Sequence, residues 1–205
     1  MSWDGKLPVN WFDFAFLGIL IAGILRGRKR GMSEEFLIVC KWIALLLACA
    51  VAYHPLGKLM ATWTPISQLT CYILCYMAVG AVVFIVFALI KRYFGGKLAG
   101  SDTFGSTEYY LGMPAGMLRF ACATLAALAI LNARLYKQSD IADMKKFQDD
   151  NYGSEFFPTF QSVQASVFEK SLIGPPIKRY LGFLLIEPTQ AEDKQIVRAR
   201  ERTYP

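Results

Sequence analysis

Residues 69–90 read LTCYILCYMAVGAVVFIVFALI, 22 positions without one charged side chain. As a helix rising ~1.5 Å per residue, the run is about 33 Å long, enough to cross a hydrocarbon core of ~30 Å. A helix that is apolar on every side suits lipid better than the surface of a soluble domain. The run is therefore read as a transmembrane span, and the rest of the chain is read around it. Two apolar runs precede it, at 9–25 and 36–53, and one follows, at 111–133. The first two are near the short limit of ~17 residues, so little tilt or a locally thinned bilayer is expected. The predicted fold is all-α: an integral membrane bundle of four transmembrane helices over 9–133, followed by a partly helical polar tail over 134–205.

Composition agrees. The chain is 55% hydrophobic and only 19% charged, and the apolar excess lies before residue 134. The net charge of +6 would raise nucleic acid as a partner in a soluble protein. Here Arg26, Arg28, Lys29 and Arg30 abut one span and Lys91 and Arg92 another. Basic clusters at span ends signal topology and contact with anionic lipid, so the bilayer is the expected partner and nucleic acid is not. The first apolar run ends in Arg-Gly-Arg-Lys-Arg-Gly rather than a small-residue cleavage site, so it is expected to remain as a span.

Seven basic residues (Arg26, Arg28, Lys29, Arg30, Lys91, Arg92, Lys97) lie in loops on one side, against Lys6 and Lys58 on the other. This bias puts the basic loops in the cytoplasm and both chain ends outside it. The tail holds eleven Lys and Arg, but long segments translocate largely regardless of charge. Within the tail, Ser139 is a candidate cap for a short helix carrying Ile141, Met144 and Phe147. Phe160, Val163, Val167, Phe168 and Leu172 follow helical spacing. Gly174-Pro175-Pro176 breaks that helix. A second apolar run, 177–186, is too short to span, and is expected on the membrane surface or against the loops. Residues 190–205 are polar and expected to fray.

Chemistry-bearing motifs are scarce. The five cysteines all lie in apolar runs, and their odd number argues against a disulfide framework. Cys71 and Cys75 are one helical turn apart, but no His or acid joins them and His54 is the only histidine. No metal site, cofactor or catalytic residue is predicted. The loop 95–107 is rich in Gly, Ser and Thr, yet Gly96-Lys97 fails the phosphate-loop pattern and no serine has nucleophile-elbow context.

Charges inside spans attract attention because each costs at least ~2.5 kcal/mol at mid-bilayer. They are Asp13, Lys41 and Arg119. Asp13 and Lys41 lie within reach of an interface, and Arg119 lies deeper. On a helical wheel Glu108, Gly112, Gly116 and Arg119 fall within about 80° of one another, a stripe suited to close helix contact. Glu108 and Arg119 are three turns apart, so the arginine needs a partner from another span or subunit, with Glu34 or Glu35 the first candidates. Gly23, Gly27 and Gly31 form a second four-spaced series, whose last two members are assigned to the turn after the first span.

These features resemble the colicin V production (CvpA) family of bacterial inner-membrane proteins. The resemblance rests on Asp13 in the first span, the turn Gly23-Ile24-Leu25-Arg26-Gly27, the acids Glu34 and Glu35, Trp42, and the block Glu108, Gly112, Gly116, Arg119. It covers about residues 9–131. Tyr109 and Phe120 depart from the pattern. The resemblance implies a multi-pass inner-membrane protein linked to toxin production or export and to envelope homeostasis, with no established reaction. The reading is a non-enzymatic scaffold or accessory factor that contacts other membrane proteins or further copies of itself. The alternative is a small transporter or channel subunit with Arg119 and Lys41 lining a polar path.

Overall fold

The computed structural model describes residues 9–98, 107–137, 140–142, 146, 150 and 159–190, with backbone alone for 94–98. The expected contributions of Ser139, Met144, Phe147, Lys6, the loop stretch 99–106 and the end 191–205 lie outside the described residues.

Four long helices carry the fold: α1 (Trp11–Arg30), α2 (Met32–Trp63), α3 (Gln68–Leu98) and α4 (Glu108–Asn132). They overrun the apolar runs because helix formation does not stop where hydrophobicity does. α1 continues through the basic cluster, so Arg26 to Arg30 form helical turns rather than a loop, and Gly27 belongs to the helix. α2 is 32 residues long and far from the short limit, running past His54 and Pro55 to Trp63. Gly95, Gly96 and Lys97 continue α3 instead of opening a loop. Asn10 starts α1 with a capping box: its side chain accepts from Trp11 N at 2.7 Å, and Asp13 Oδ2 accepts from Asn10 N at 2.8 Å.

Three of these helices, over Met32–Trp63, Gln68–Tyr93 and Glu108–Asn132, are long and apolar enough to cross a membrane. α1 differs because Asp13 near one end and the basic cluster at the other leave only residues 14–25 uncharged. Their apolar side chains are largely on the outside: Phe14, Leu17, Val51, Val82, Ile85 and Leu89 are all exposed.

The helices do not close into a symmetrical bundle. α4 packs on α1 along one side and on α2 along another, α3 packs on α2, and α1 touches α2 only slightly. The spatial order is therefore α1–α4–α2–α3. Gly31, a single residue, joins α1 to α2 with φ 79° and ψ 169°. That conformation is essentially confined to glycine. It lets the two helices diverge so that α4 enters between them.

The tail folds over the end opposite Gly31. Helix α5 (Phe160–Phe168) is capped by Thr159, whose Oγ1 accepts from Ser162 N at 3.2 Å. α5 ends before Leu172, earlier than its apolar spacing indicates. Gly174-Pro175-Pro176 then opens helix α6 (Gly174–Tyr180), with proline in the first turn, where its missing N–H costs no bond. A 3-10 turn follows at Gly182–Leu184. The two-residue strands β1 (Arg134–Leu135) and β2 (Thr189–Gln190) pair in parallel, a small departure from the all-α expectation that ties the tail to the end of α4. The main core lies at this end, where Phe12, Tyr53, Tyr72, Ala129, Phe168 and Ile186 meet.

Candidate functional site

The site grows from the glycines of α4. A Cβ on Gly23 would lie 2.8 Å from Gly116 O, and one on Gly31 2.7 Å from Glu108 Cγ. A Cβ on Gly27 would overlap Gly112 O outright. The contact is antiparallel, pairing Gly31 with Glu108, Gly27 with Gly112 and Gly23 with Gly116. Small residues let the two backbones touch, the packing mode that substitutes for hydrophobic driving force in lipid. Gly31 is therefore glycine for two reasons, its backbone conformation and the Glu108 side chain lying against it.

Arg119 stands on the same helix but reaches the other neighbour. Its Nη1 donates to Glu35 of α2, 3.0 Å from Oε1 and 3.2 Å from Oε2. Arg30, from the last turn of α1, donates to the same Oε1 at 3.4 Å. The Glu35 side chain is 0% exposed, and that of Arg119 20%. Glu34 is exposed, so of the two candidate acids only Glu35 faces α4. One carboxylate thus joins three helices: its own, α4 through Arg119, and α1 through Arg30. The ionised form has two guanidinium partners, the condition under which a buried charge is tolerated.

Asp13 lies at the opposite end. It is 8% exposed and accepts from Leu172 N and Ile173 N of the tail, both at 3.1 Å, besides Asn10 N. Asn10 Nδ2 adds a bond to Ser166 O at 3.2 Å. Asp13 is therefore the point at which the tail is latched to α1. Asn132 Nδ2 donates to Ile186 O at 3.0 Å, and Glu187 N to Tyr53 Oη at 3.2 Å, so α4 and α2 hold the tail as well. A cavity of about 270 Å³ opens here, bordered by Asn132, Arg134, Gln164, Glu169 and Lys178.

The remaining predicted residues separate. Lys41 places Nζ 4.4 Å from the centre of the Phe84 ring of α3, beside the edge-on Trp42–Phe84 pair. It meets α3 rather than joining the Glu35 cluster. Arg26 is exposed on α1 and Gly23 is buried. Glu108 and Arg119 share the stripe without pairing: Glu108 covers Gly31, and Arg119 reaches Glu35. Sequence reasoning missed Arg30 as the second partner of Glu35, because it reads as one more member of a topology cluster. It also missed Asn132, whose only signal is an amide at the end of an apolar run. Among the described residues, no group of three or more His, Cys, Asp and Glu could hold a metal ion.

No curated protein and no solved structure matches the chain. A sequence-family profile described as colicin V production protein matches residues 12–165, from the first turn of α1 into α5. That is more than half of the 205 residues, and with three helices able to cross a membrane it identifies a membrane protein: the chain belongs to the colicin V production protein family.

Proposed function

We propose that this protein is a four-span scaffold of the bacterial inner membrane, serving toxin production or export and envelope homeostasis without catalysing a reaction. The observation that carries this reading is the fate of its intramembrane charges. Glu35 is consumed by Arg119 and Arg30, Asp13 by backbone N–H groups of the tail, and Lys41 by the face of Phe84. Charges spent on joining helices favour assembly over conduction, because a polar path needs groups left facing water. The apolar surfaces of α3 and α1, at the two edges of the row, are the natural contacts for other membrane proteins or a second copy.

A fourth span is supported by the antiparallel α1–α4 contact. A helix lying along α4 from Glu108 outward crosses whatever α4 crosses, although its uncharged stretch is short. Asp13 would lie near the far boundary with its charge satisfied, and the basic cluster would reach headgroups at the near one. The basic ends of α1 and α3 favour a cytoplasmic position for Gly31, and hence both chain ends outside.

The test crosslinks the protein in native membranes and identifies its partners by mass spectrometry, alongside ion-flux assays of the purified protein in liposomes. A scaffold gives a reproducible partner or a self-adduct and no flux. Selective flux through the wild-type protein would instead establish the transporter reading.

A further inference from the structure

The tail segment 174–186 lies deeper than a surface element. Leu184 packs with Leu46 of α2 and Cys122 of α4, with Trp42, Leu125 and Leu181 around them. At ~1.5 Å per residue, Leu46 stands about 21 Å along α2 from Met32, and Cys122 about 21 Å along α4 from Glu108. Met32 and Glu108 flank Gly31 at the opposite end of the molecule. A hydrocarbon core of ~30 Å measured from that end therefore extends about 9 Å beyond Leu184. Tyr53 and Asn132, which hold Glu187 and Ile186, stand about 32 Å and 36 Å along their helices, just past that boundary. The chain thus dips between α2 and α4 and returns.

The dipping segment presents two kinds of side chain outward. Phe183, in the 3-10 turn, is 67% exposed, at a level that a bilayer placed as above fills with acyl chains. Tyr180 is exposed just before it. Lys178 and Arg179 precede these: Lys178 borders the cavity shared with Asn132 and Arg134, and Arg179 places its guanidinium 5.6 Å from the Tyr180 ring centre. The acids facing this end include Glu169, on the same cavity, Glu187, whose Oε2 lies 3.7 Å from His54 Nε2, and Asp13, whose carboxylate is taken up by Leu172 N and Ile173 N. Backbone at this depth must be satisfied by protein, and part of it is: Leu181 N donates to Ile177 O at 2.8 Å, Leu184 N to Leu181 O at 2.9 Å, Leu185 N to Gly182 O at 3.1 Å, and Ile186 O accepts from Asn132 Nδ2 at 3.0 Å.

We infer that residues 174–186 form a re-entrant element embedded in the leaflet on the tail side. Phe183 is inserted among acyl chains, and Lys178 and Arg179 bind anionic phospholipid headgroups. The inference rests on the membrane reading above. Aromatic anchors below and cations at the phosphate level match the layering of a bilayer interface.

The test places the photoreactive p-benzoyl-phenylalanine at position 183. Position 82, on the exposed face of α3, and position 162, on α5, receive it separately. The protein is reconstituted in phosphatidylcholine with phosphatidylglycerol, and adducts are identified by mass spectrometry. Lipid adducts at 82 and 183 but not 162 are expected. At 183 the phosphatidylglycerol share should exceed that at 82, and Lys178→Gln/Arg179→Gln should remove the excess, by about fivefold per side chain. Adducts at 82 without any at 183 would overturn the inference while leaving the membrane reading intact. No lipid adduct at either position would overturn the membrane reading itself. Equal lipid ratios at 82 and 183 would overturn the headgroup assignment.

Discussion

Arg119 leaves its own helix to meet Glu35: Nη1 lies 3.0 Å from Oε1 and 3.2 Å from Oε2 of a carboxylate shut away from solvent. Its Cα stands about 16 Å along α4 from Glu108, near the middle of a bilayer measured from that end. Arg119→Leu should leave Glu35 with Arg30 alone and cost about 3 kcal/mol, the low end for breaking a buried pair. Arg119→Lys keeps the charge but not the fork, and should cost about half as much. Thermal unfolding in detergent ranks the variants. Equal melting of Arg119→Leu and wild type would show that the pair contributes nothing to the fold.

Gly112→Leu and Gly116→Leu should each separate α4 from α1, because the added side chain meets backbone that cannot give way. A loss of about 3 kcal/mol or more is expected, with the same result for Gly27→Leu on the facing helix. Gly18, with nothing within 4 Å of its Cβ position, is the control and should tolerate alanine. If Gly27→Leu were as benign as Gly18→Ala, the antiparallel contact would be wrong.

Gly31→Ala combines a strained backbone with a collision at Glu108. The strain alone should cost about 2 kcal/mol. Adding Glu108→Ala should relieve the collision but not the strain, so the double variant should recover only part of the loss. Full recovery would mean that the glycine conformation at this turn is dispensable.

Asp13→Asn should loosen the tail and leave the helices in place. The amide accepts more weakly than a carboxylate, and about 1–2 kcal/mol of charge-assisted bonding is lost locally. Hydrogen exchange at the Leu172 and Ile173 amides should accelerate, while the amides of α4 stay unchanged. Unaltered exchange at 172 and 173 would contradict the latch.

Much of the architecture was legible in the sequence, and the misses have physical causes. Apolar length revealed the helices over α2, α3 and α4. It misjudges helix ends because Arg30 in α1, Pro55 in α2 and Gly96 in α3 are compatible with helix in their context. The stripe through Gly112, Gly116 and Arg119 was readable from 100° per residue. The Arg119–Glu35 pair was legible as one of two candidates; the glycine contact of the same helix with α1 was not, because it depends on α4 entering between α1 and α2. A glycine beside a basic cluster looks like a helix end, yet Gly27 lies inside α1, and its packing against Gly112 explains it instead. The tail was hardest. Residues 177–186 are short, like a surface element, and only the packing of Leu184 on Leu46 and Cys122 and the Asn132–Ile186 bond seat them against α2 and α4.

If Glu35 and Arg119 serve only to join helices, their charges are dispensable once the helices are held together by other means. The double variant Glu35→Leu/Arg119→Leu separates this joining role from a transport role, since it removes both buried charges together, and Arg30, whose side chain is 33% exposed, can turn to water or headgroups. The measurement is complementation of envelope resistance and toxin production in a strain lacking its own family member, with thermal stability read in parallel. The double variant should melt close to wild type and complement, while Arg119→Leu alone should be unstable. A double variant that folds normally and fails to complement would contradict a role confined to joining helices.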